Sequence, residues 1–258
     1  MTIGFVPTMG ALHEGHLSLV RNAKRSGDIV VVSIFVNPTQ FNNSSDLDKY
    51  PRTFETDKKL LLNEGIDVLF FPTVDEIYPS PETKSYNLDG LDAQMEGPNR
   101  PGHFSGVVQV VSRLFDLVKP HVAYFGEKDF QQLAIIRHMT TKLGYDIQIQ
   151  GGNTVREKSG LAMSSRNVRL SPKGLEVASQ LSSVLSHMKE RISFGATPSM
   201  AKQMAIDHLN NVDGIHVEYL EMIDPRTLRP IDDHADQIQA CVAAQVEGVR
   251  LIDNMRVK

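Results

Sequence analysis

Short apolar runs alternate with amphipathic stretches through the first half of the chain. Residues 3–6, 29–35 and 68–71 are rich in β-branched and aromatic side chains and predict strands, whereas 16–26 and 54–64 carry apolar residues at helical spacing. The run 28–35 is almost continuously apolar, as a parallel strand covered on both faces requires. The rhythm then repeats, with a helix over 107–118, a strand over 121–125, a helix over 129–143 and a strand over 147–149. Strands and helices in this alternation predict an α/β fold, a Rossmann-like doubly wound parallel sheet.

After Gly151-Gly152 the pattern changes. Ser171 can cap a helix with Pro172 at its first position, and Leu175, Ala178, Leu181, Leu185, Met188 and Ile192 mark one apolar stripe. A second helix over 199–209 and strands over 215–223, 240–246 and 249–252 follow, which predicts a smaller C-terminal α+β domain. The boundary is placed near Thr154, giving domains 1–153 and 154–258. The polar stretch 42–48 is the clearest candidate for a mobile loop.

Composition narrows the function classes. A formal charge of -4 gives no general electrostatic reason to bind nucleic acid or an anionic membrane. No apolar run approaches the ~18 residues of a membrane span and no signal peptide is evident, so a cytoplasmic protein acting on small molecules is expected. Cys241 is the only cysteine, which excludes an intrachain disulfide and a cysteine-rich zinc site, and its apolar neighbours predict a packing role.

The chemistry concentrates where the first predicted strand enters the first helix, in Pro7-Thr-Met-Gly-Ala-Leu-His-Glu-Gly-His16. Open α/β sheets bind ligands at the carboxyl ends of their strands, glycines allow close backbone approach, and a helix N-terminus offers amide donors to phosphate. His13 and His16 can then face one anion, donating hydrogen bonds and gaining charge as negative charge grows. A lone histidine is usually a surface or capping residue, but two beside glycines at such a turn point further. A zincin needs histidines four apart on a helix, and here they are three apart around a glycine. The Gly-x-x-x-x-Gly-Lys-Ser/Thr and Gly-x-Gly-x-x-Gly fingerprints are both missing.

His13-x-Gly-His16 resembles the signature of the nucleotidylyltransferase superfamily, and Leu161-Ala-Met-Ser-Ser-Arg-Asn167 resembles its second, basic and hydroxyl-rich loop. Phe35-Val-Asn-Pro-Thr-Gln-Phe41, Tyr50-Pro-Arg-Thr53, Arg100-Pro-Gly-His-Phe104 and Gly126-Glu-Lys-Asp-Phe-Gln-Gln132 narrow this to the pantothenate synthetase family, with the likeness running on to Leu251-Ile-Asp-Asn254. Members of that family ordinarily carry a helix ahead of the first strand, and this chain starts almost on that strand.

The resemblance implies ATP-dependent joining of pantoate to β-alanine through a pantoyl adenylate, with AMP and pyrophosphate released, Mg²⁺ accompanying ATP, and a homodimer. It implies that Met9, Gly10, Ala11, Leu12, His13, Glu14, Gly15 and His16 cradle ATP, with His16, His13 and Lys128 catalytic. Gly126, Glu127, Lys128 and Asp129 join the ATP site, Asp129 through ribose or metal-bound water, and the metal ligands stay unassigned. Gln40 and Gln132 would hold pantoate and Gln40 also β-alanine, because a neutral amide binds oxygens without quenching a nucleophilic carboxylate. Val110 and Val111 would touch the gem-dimethyl group or simply fill a helix core, while Arg100 and His103 would either act in the site or hold their loop. Val155, Met163, Ser164, Ser165 and Arg166 would close on ATP from the second domain, making it a lid. The rivals are another enzyme of the superfamily, with a dinucleotide or charged tRNA as product, and a binding protein that has kept the fold. Intact His13, His16, Lys128 and Arg166 argue against the latter.

Overall fold

A computed structural model describes residues 1–42, 44–80 and 86–258, which divide into two compact units, Met1–Thr154 and Val155–Lys258. The first unit runs β1 (Ile3–Thr8), α1 (Glu14–Ser26), β2 (Ile29–Ile34), α2 (Ser44–Asp48), α3 (Phe54–Glu64) and β3 (Val68–Phe70). It continues through α4 (Val74–Ile77), α5 (Glu96–Asn99), α6 (His103–Val118), β4 (Val122–Gly126), α7 (Phe130–Lys142) and β5 (Gln148–Gly152).

The five strands form one parallel sheet in the order β3-β2-β1-β4-β5, with Ile3 to Thr8 in register with Ile29 to Ile34 and Val122 to Gly126 with Gln148 to Gly152. Alternation along each strand feeds two cores. Phe5, Val31, Ala123 and Phe125 point to the face covered by α6 and α7, and Val6, Val30, Val32, Val122 and Tyr124 to the face covered by α1 and α3. Both faces being covered, the strands can be nearly all apolar, which is why the run 28–35 is legible as a parallel strand. The chain steps from β1 outward to β3 and then returns to the other side of β1. That reversal leaves a crevice beyond the carboxyl ends of β1 and β4, the position at which such sheets bind ligands.

Two differences from the sequence pattern are physical. The stretch expected as a loop at 42–48 folds in part as α2, with Asp46 in the first turn complementing the helix dipole; Asn43 lies outside the described residues. The turn after it is anchored by buried Tyr50, packed edge-on against Phe41. Helix α6 begins at His103, four residues before the predicted 107, and has no side-chain cap to announce it. Its early start buries His103 and Phe104.

The second unit contains α8 (Pro172–Ala178), α9 (Gln180–Ser193), α10 (Pro198–Asn210), β6 (Ile215–Ile223), β7 (Gln239–Val246) and β8 (Val249–Arg256), the strands forming an antiparallel sheet in sequence order. Ala240, Val242, Ala244 and Val246 of β7 pack with Leu181, Leu185 and Met188 of α9 and with Ala201, Ala205 and Leu209 of α10. The single stripe read from the sequence is divided at Ser179, whose hydroxyl donates to Glu176 O (2.6 Å) and competes with the helical ladder.

Candidate active site

At the end of β1 the Thr8 hydroxyl donates to Ser33 O (2.7 Å) and accepts from Gly10 N (3.2 Å). The chain then takes two left-handed residues in succession, Gly10 at φ 79° and Ala11 at φ 48°. Glycine adopts this conformation freely, whereas alanine must be held in it. The holding group is Asp57 of α3, whose Oδ2 accepts from Ala11 N (2.9 Å) and whose Oδ1 accepts from Leu12 N (2.8 Å).

His13 is the N-cap of α1. Its Nδ1 accepts from Gly15 N (3.1 Å), while His16 Nδ1 accepts from His13 N (3.3 Å), so the pair forms a reciprocal capping box built from imidazoles. A ring nitrogen that accepts is unprotonated, so each neutral ring carries its proton on Nε2. Burial, followed by the Lys128 cation, lowers the pKa of His13 to about 4. Burial, then His13, then Lys128 lower that of His16 to about 3. With ring centroids 4.1 Å apart, the two therefore sit as neutral Nε2–H donors at pH 7.

Two expectations are refined by this arrangement. The rings are neutral at pH 7 in the free protein, because they are desolvated beside a lysine, so any charge they gain must come with negative charge developing beside them. The amides of Ala11 and Leu12, ahead of the helix, are committed to Asp57, and those of His13 and Gly15 to the imidazoles. Capping uses the Nδ1 edge of each ring and leaves the Nε2–H edge outside the cap.

Lys128 and Asp129 follow β4 across the crevice, their charged ends 3.9 Å apart. Asp129 opposes the effect of Lys128 on His13, which places both charges within electrostatic reach of the ring. Gly126 ends β4 and Glu127 opens the turn between them.

Gln40 ends a short 3-10 turn, Pro38–Gln40, after β2 and is buried. Its orientation follows from Asn37. The Asn37 Oδ1 accepts from Thr39 N (3.3 Å) and Tyr78 OH (2.9 Å), and its Nδ2 donates to Gly106 O (3.1 Å) and to Gln40 Oε1 (3.2 Å). Since backbone partners fix Asn37, Gln40 must turn its oxygen to Asn37 and its Nε2 outward, where that group meets Met9 Sδ (3.1 Å). Gln40 thus offers an N–H donor beside the β1 turn.

His103 holds the same segment from below. Its Nε2 lies 3.1 Å from Arg100 Nη1, which can only donate, so Nε2 accepts and Nδ1 carries the proton to Gln40 O (2.9 Å). Burial, then Arg100, lowers the His103 pKa to about 4. Glu96 pairs with Arg100 (3.3 Å), and Glu96 N donates to Gln131 Oε1 (3.0 Å). Arg100 and His103 therefore brace the loop that carries Gln40.

Gln132, in the first turn of α7, is half-buried, and its side chain has no hydrogen-bond partner among the described residues. Val110 and Val111 are buried in the α6 core. Asp57, Asn37, Glu96 and Gln131 received no role from the sequence. Each acts through partners distant in the chain, and only the Asn37-Pro-Thr-Gln40 run hinted at one of them.

In the second unit, Arg156 and Ala162 form an isolated antiparallel bridge and Met163 N donates to Val155 O (2.9 Å). Ser164 Oγ accepts from Arg166 N (3.3 Å), and Ser164 O accepts from Asn167 N (2.9 Å), so Ser164, Ser165 and Arg166 form a tight hydroxyl-rich turn. Arg156 anchors this hairpin by a bidentate pair with buried Asp253, at 2.6 and 2.9 Å.

A family model described as pantoate-beta-alanine ligase matches residues 1–256. The chain is 49% identical over 257 residues to a pantothenate synthetase of Cytophaga hutchinsonii, covering 98% of this chain and 91% of that protein. It is 48% identical over 260 residues to one of Bacteroides fragilis, covering 99% and 91%. Among solved structures, pantothenate synthetase from Thermus thermophilus matches with a TM-score of 0.95 at 44% identity over 100% of this chain and 94% of that one. The pantoate-beta-alanine ligase from Francisella tularensis, complexed with beta-gamma ATP and beta-alanine, matches with a TM-score of 0.82 at 35% identity over 99% and 90%. Motifs, sheet order and these likenesses agree over nearly the whole length, and the chain belongs to the pantoate–β-alanine ligase family.

Proposed function

We propose that this chain condenses pantoate with β-alanine at the expense of ATP, by way of pantoyl adenylate. The observation that carries the reading is the pair of neutral Nε2–H donors at the β1–α1 turn, within electrostatic reach of Lys128. A pantoate carboxylate oxygen attacks the α-phosphorus of ATP, the bond to the bridging oxygen breaks, and pyrophosphate leaves. The β-alanine amine then attacks the activated carbonyl, loses a proton, and expels AMP with the oxygen that came from pantoate.

No covalent enzyme nucleophile is required, so the protein's task is to position two anions and stabilise developing phosphate charge. In this reading His16 and His13 donate to phosphate oxygens and Lys128 supplies a compact cation. Gln40 Nε2–H and Gln132 hold pantoate oxygens while leaving the carboxylate unprotonated and nucleophilic, and Gln40 also meets β-alanine. Met9 to His16 and Gly126 to Asp129 form the first unit's ATP-binding segments, and Val155 with Met163 to Arg166 are carried as ATP contacts of the second. Mg²⁺ accompanying ATP would neutralise phosphate charge, and no residues of this chain are assigned to hold it. No helix among the described residues is long and apolar enough to cross a membrane. The family resemblance, and not that observation, is what supports a cytoplasmic homodimer.

The test is oxygen transfer. Pantoate labelled with ¹⁸O in its carboxylate should pass one label to AMP while pantothenate forms. Unlabelled AMP would remove the acyl adenylate, and a dinucleotide product would favour a different transferase of the superfamily.

A further inference from the structure

We infer that Asp57 is the positioning residue of the turn that receives ATP phosphate, an inference that rests on the ATP reading above. Asp57 lies in the first turn of α3 at 1% exposure, and its carboxylate is satisfied by the Ala11 and Leu12 amides and by the Thr53 hydroxyl (3.2 Å). Two consecutive amides converging on one anion form a small backbone nest, the arrangement that binds phosphate when it stands open. Here an intramolecular carboxylate fills it. Even a Cβ placed on Gly10 would come within 3.1 Å of Asp57 Oδ2, so the turn is moulded against that oxygen.

Two consequences follow for chemistry. Ala11 is kept in a left-handed conformation that its side chain disfavours, which sets the direction in which the chain enters the His13 cap. The Ala11 and Leu12 amides are also withdrawn from an incoming phosphate, which leaves the imidazole Nε2–H groups as the donors that the turn positions. Asp57 thus acts through the turn and touches no reacting atom.

Asp57→Asn keeps the volume but replaces one acceptor oxygen with an NH₂ group, which would oppose one of the two amides. In the full chain it should weaken ATP binding by about 10- to 100-fold, the scale expected when a site shifts by about an ångström. Pantoate binding should stay within about twofold of the unaltered protein, since Gln40 and its braces are untouched. Amide hydrogen exchange over residues 9–13 should accelerate in the same variant.

A role confined to stability would lower the melting temperature yet leave both affinities alone or reduce them together. Either of those outcomes, in a folded variant, overturns the inference. Should Asp57→Asn fail to fold, Thr53→Val removes only the hydroxyl donated to Oδ2; it should weaken ATP binding by about two- to fivefold with pantoate unchanged, and equal effects on both ligands would again overturn the inference. The ATP reading fails in a different way, because the unaltered protein would then take up no ATP. The exchange rates at residues 9–13 would still decide whether Asp57 holds the turn.

Discussion

At the scale of the residue, the tautomers of His13 and His16 tie structure to chemistry. Both Nδ1 atoms are used by the cap of α1 itself, so the Nε2–H donors are fixed before any ligand arrives. Replacing His16 with alanine should lower the rate of pyrophosphate formation by about 10²- to 10³-fold, the usual effect of removing a donor to transition-state charge. Circular dichroism should show an intact fold, and a rate within about threefold of the original would strip His16 of that role. Acid stability carries a second expectation. His13 and His103 have folded pKa values near 4 and His16 near 3, against an ordinary histidine value of 6.5, so the unfolded chain binds more protons between those limits. Their stabilising contribution is therefore complete above about pH 6.5 and is lost as pH falls towards 4 and then 3. Urea midpoints should fall across that window, most steeply below pH 6, and His103→Gln should flatten the profile; a flat profile in the unaltered protein would refute the assigned desolvation. The histidine pair was legible in the sequence because its spacing and its glycines are local. Asp57 was not, because the amides it serves lie 45 and 46 positions away and a first-turn aspartate reads as an ordinary dipole partner.

At the scale of the element, Gln40 is placed by contacts between the Pro38–Gln40 turn and α6. A Cβ on Gly106 would come within 2.5 Å of Thr39 O, so Gly106→Ala must push the turn away from the helix. Overpacking of this kind destabilises by about 1–3 kcal/mol, and the displaced Gln40 should raise KM for pantoate several-fold with KM for ATP little changed. Steady-state kinetics checks this, and an unaltered pantoate KM would mean that the turn does not set the amide. In the second unit, Arg156→Met would leave Asp253, with its side chain 1% exposed, as a buried carboxylate without its cation. That should cost about 3–5 kcal/mol in a urea titration, and a loss below about 1 kcal/mol would show the pair to be solvent-screened. Periodicity revealed most helices and strands, since their apolar faces follow fixed periods. It missed the division at Ser179 and the early start of α6, which depend on one hydroxyl and on tertiary burial.

At the scale of the whole molecule, the sequence supported a parallel sheet and a distinct C-terminal α+β unit, because runs such as 28–35 are apolar without alternation and the pattern after Gly152 loses the βαβ rhythm. Strand order was not contained in any single run. The order β3-β2-β1-β4-β5 brings the segments after β1 and β4 to one crevice, uniting an imidazole pair near the N-terminus with a lysine more than a hundred residues on. Whether this protein transfers adenylate to pantoate is decided by product analysis with ATP, Mg²⁺ and pantoate before and after β-alanine is added. Pantoate alone should release pyrophosphate to about one equivalent of enzyme, with AMP appearing rapidly only once β-alanine is present. ADP and phosphate as products, or AMP formed at the same rate without pantoate, would rule out adenylate transfer to pantoate.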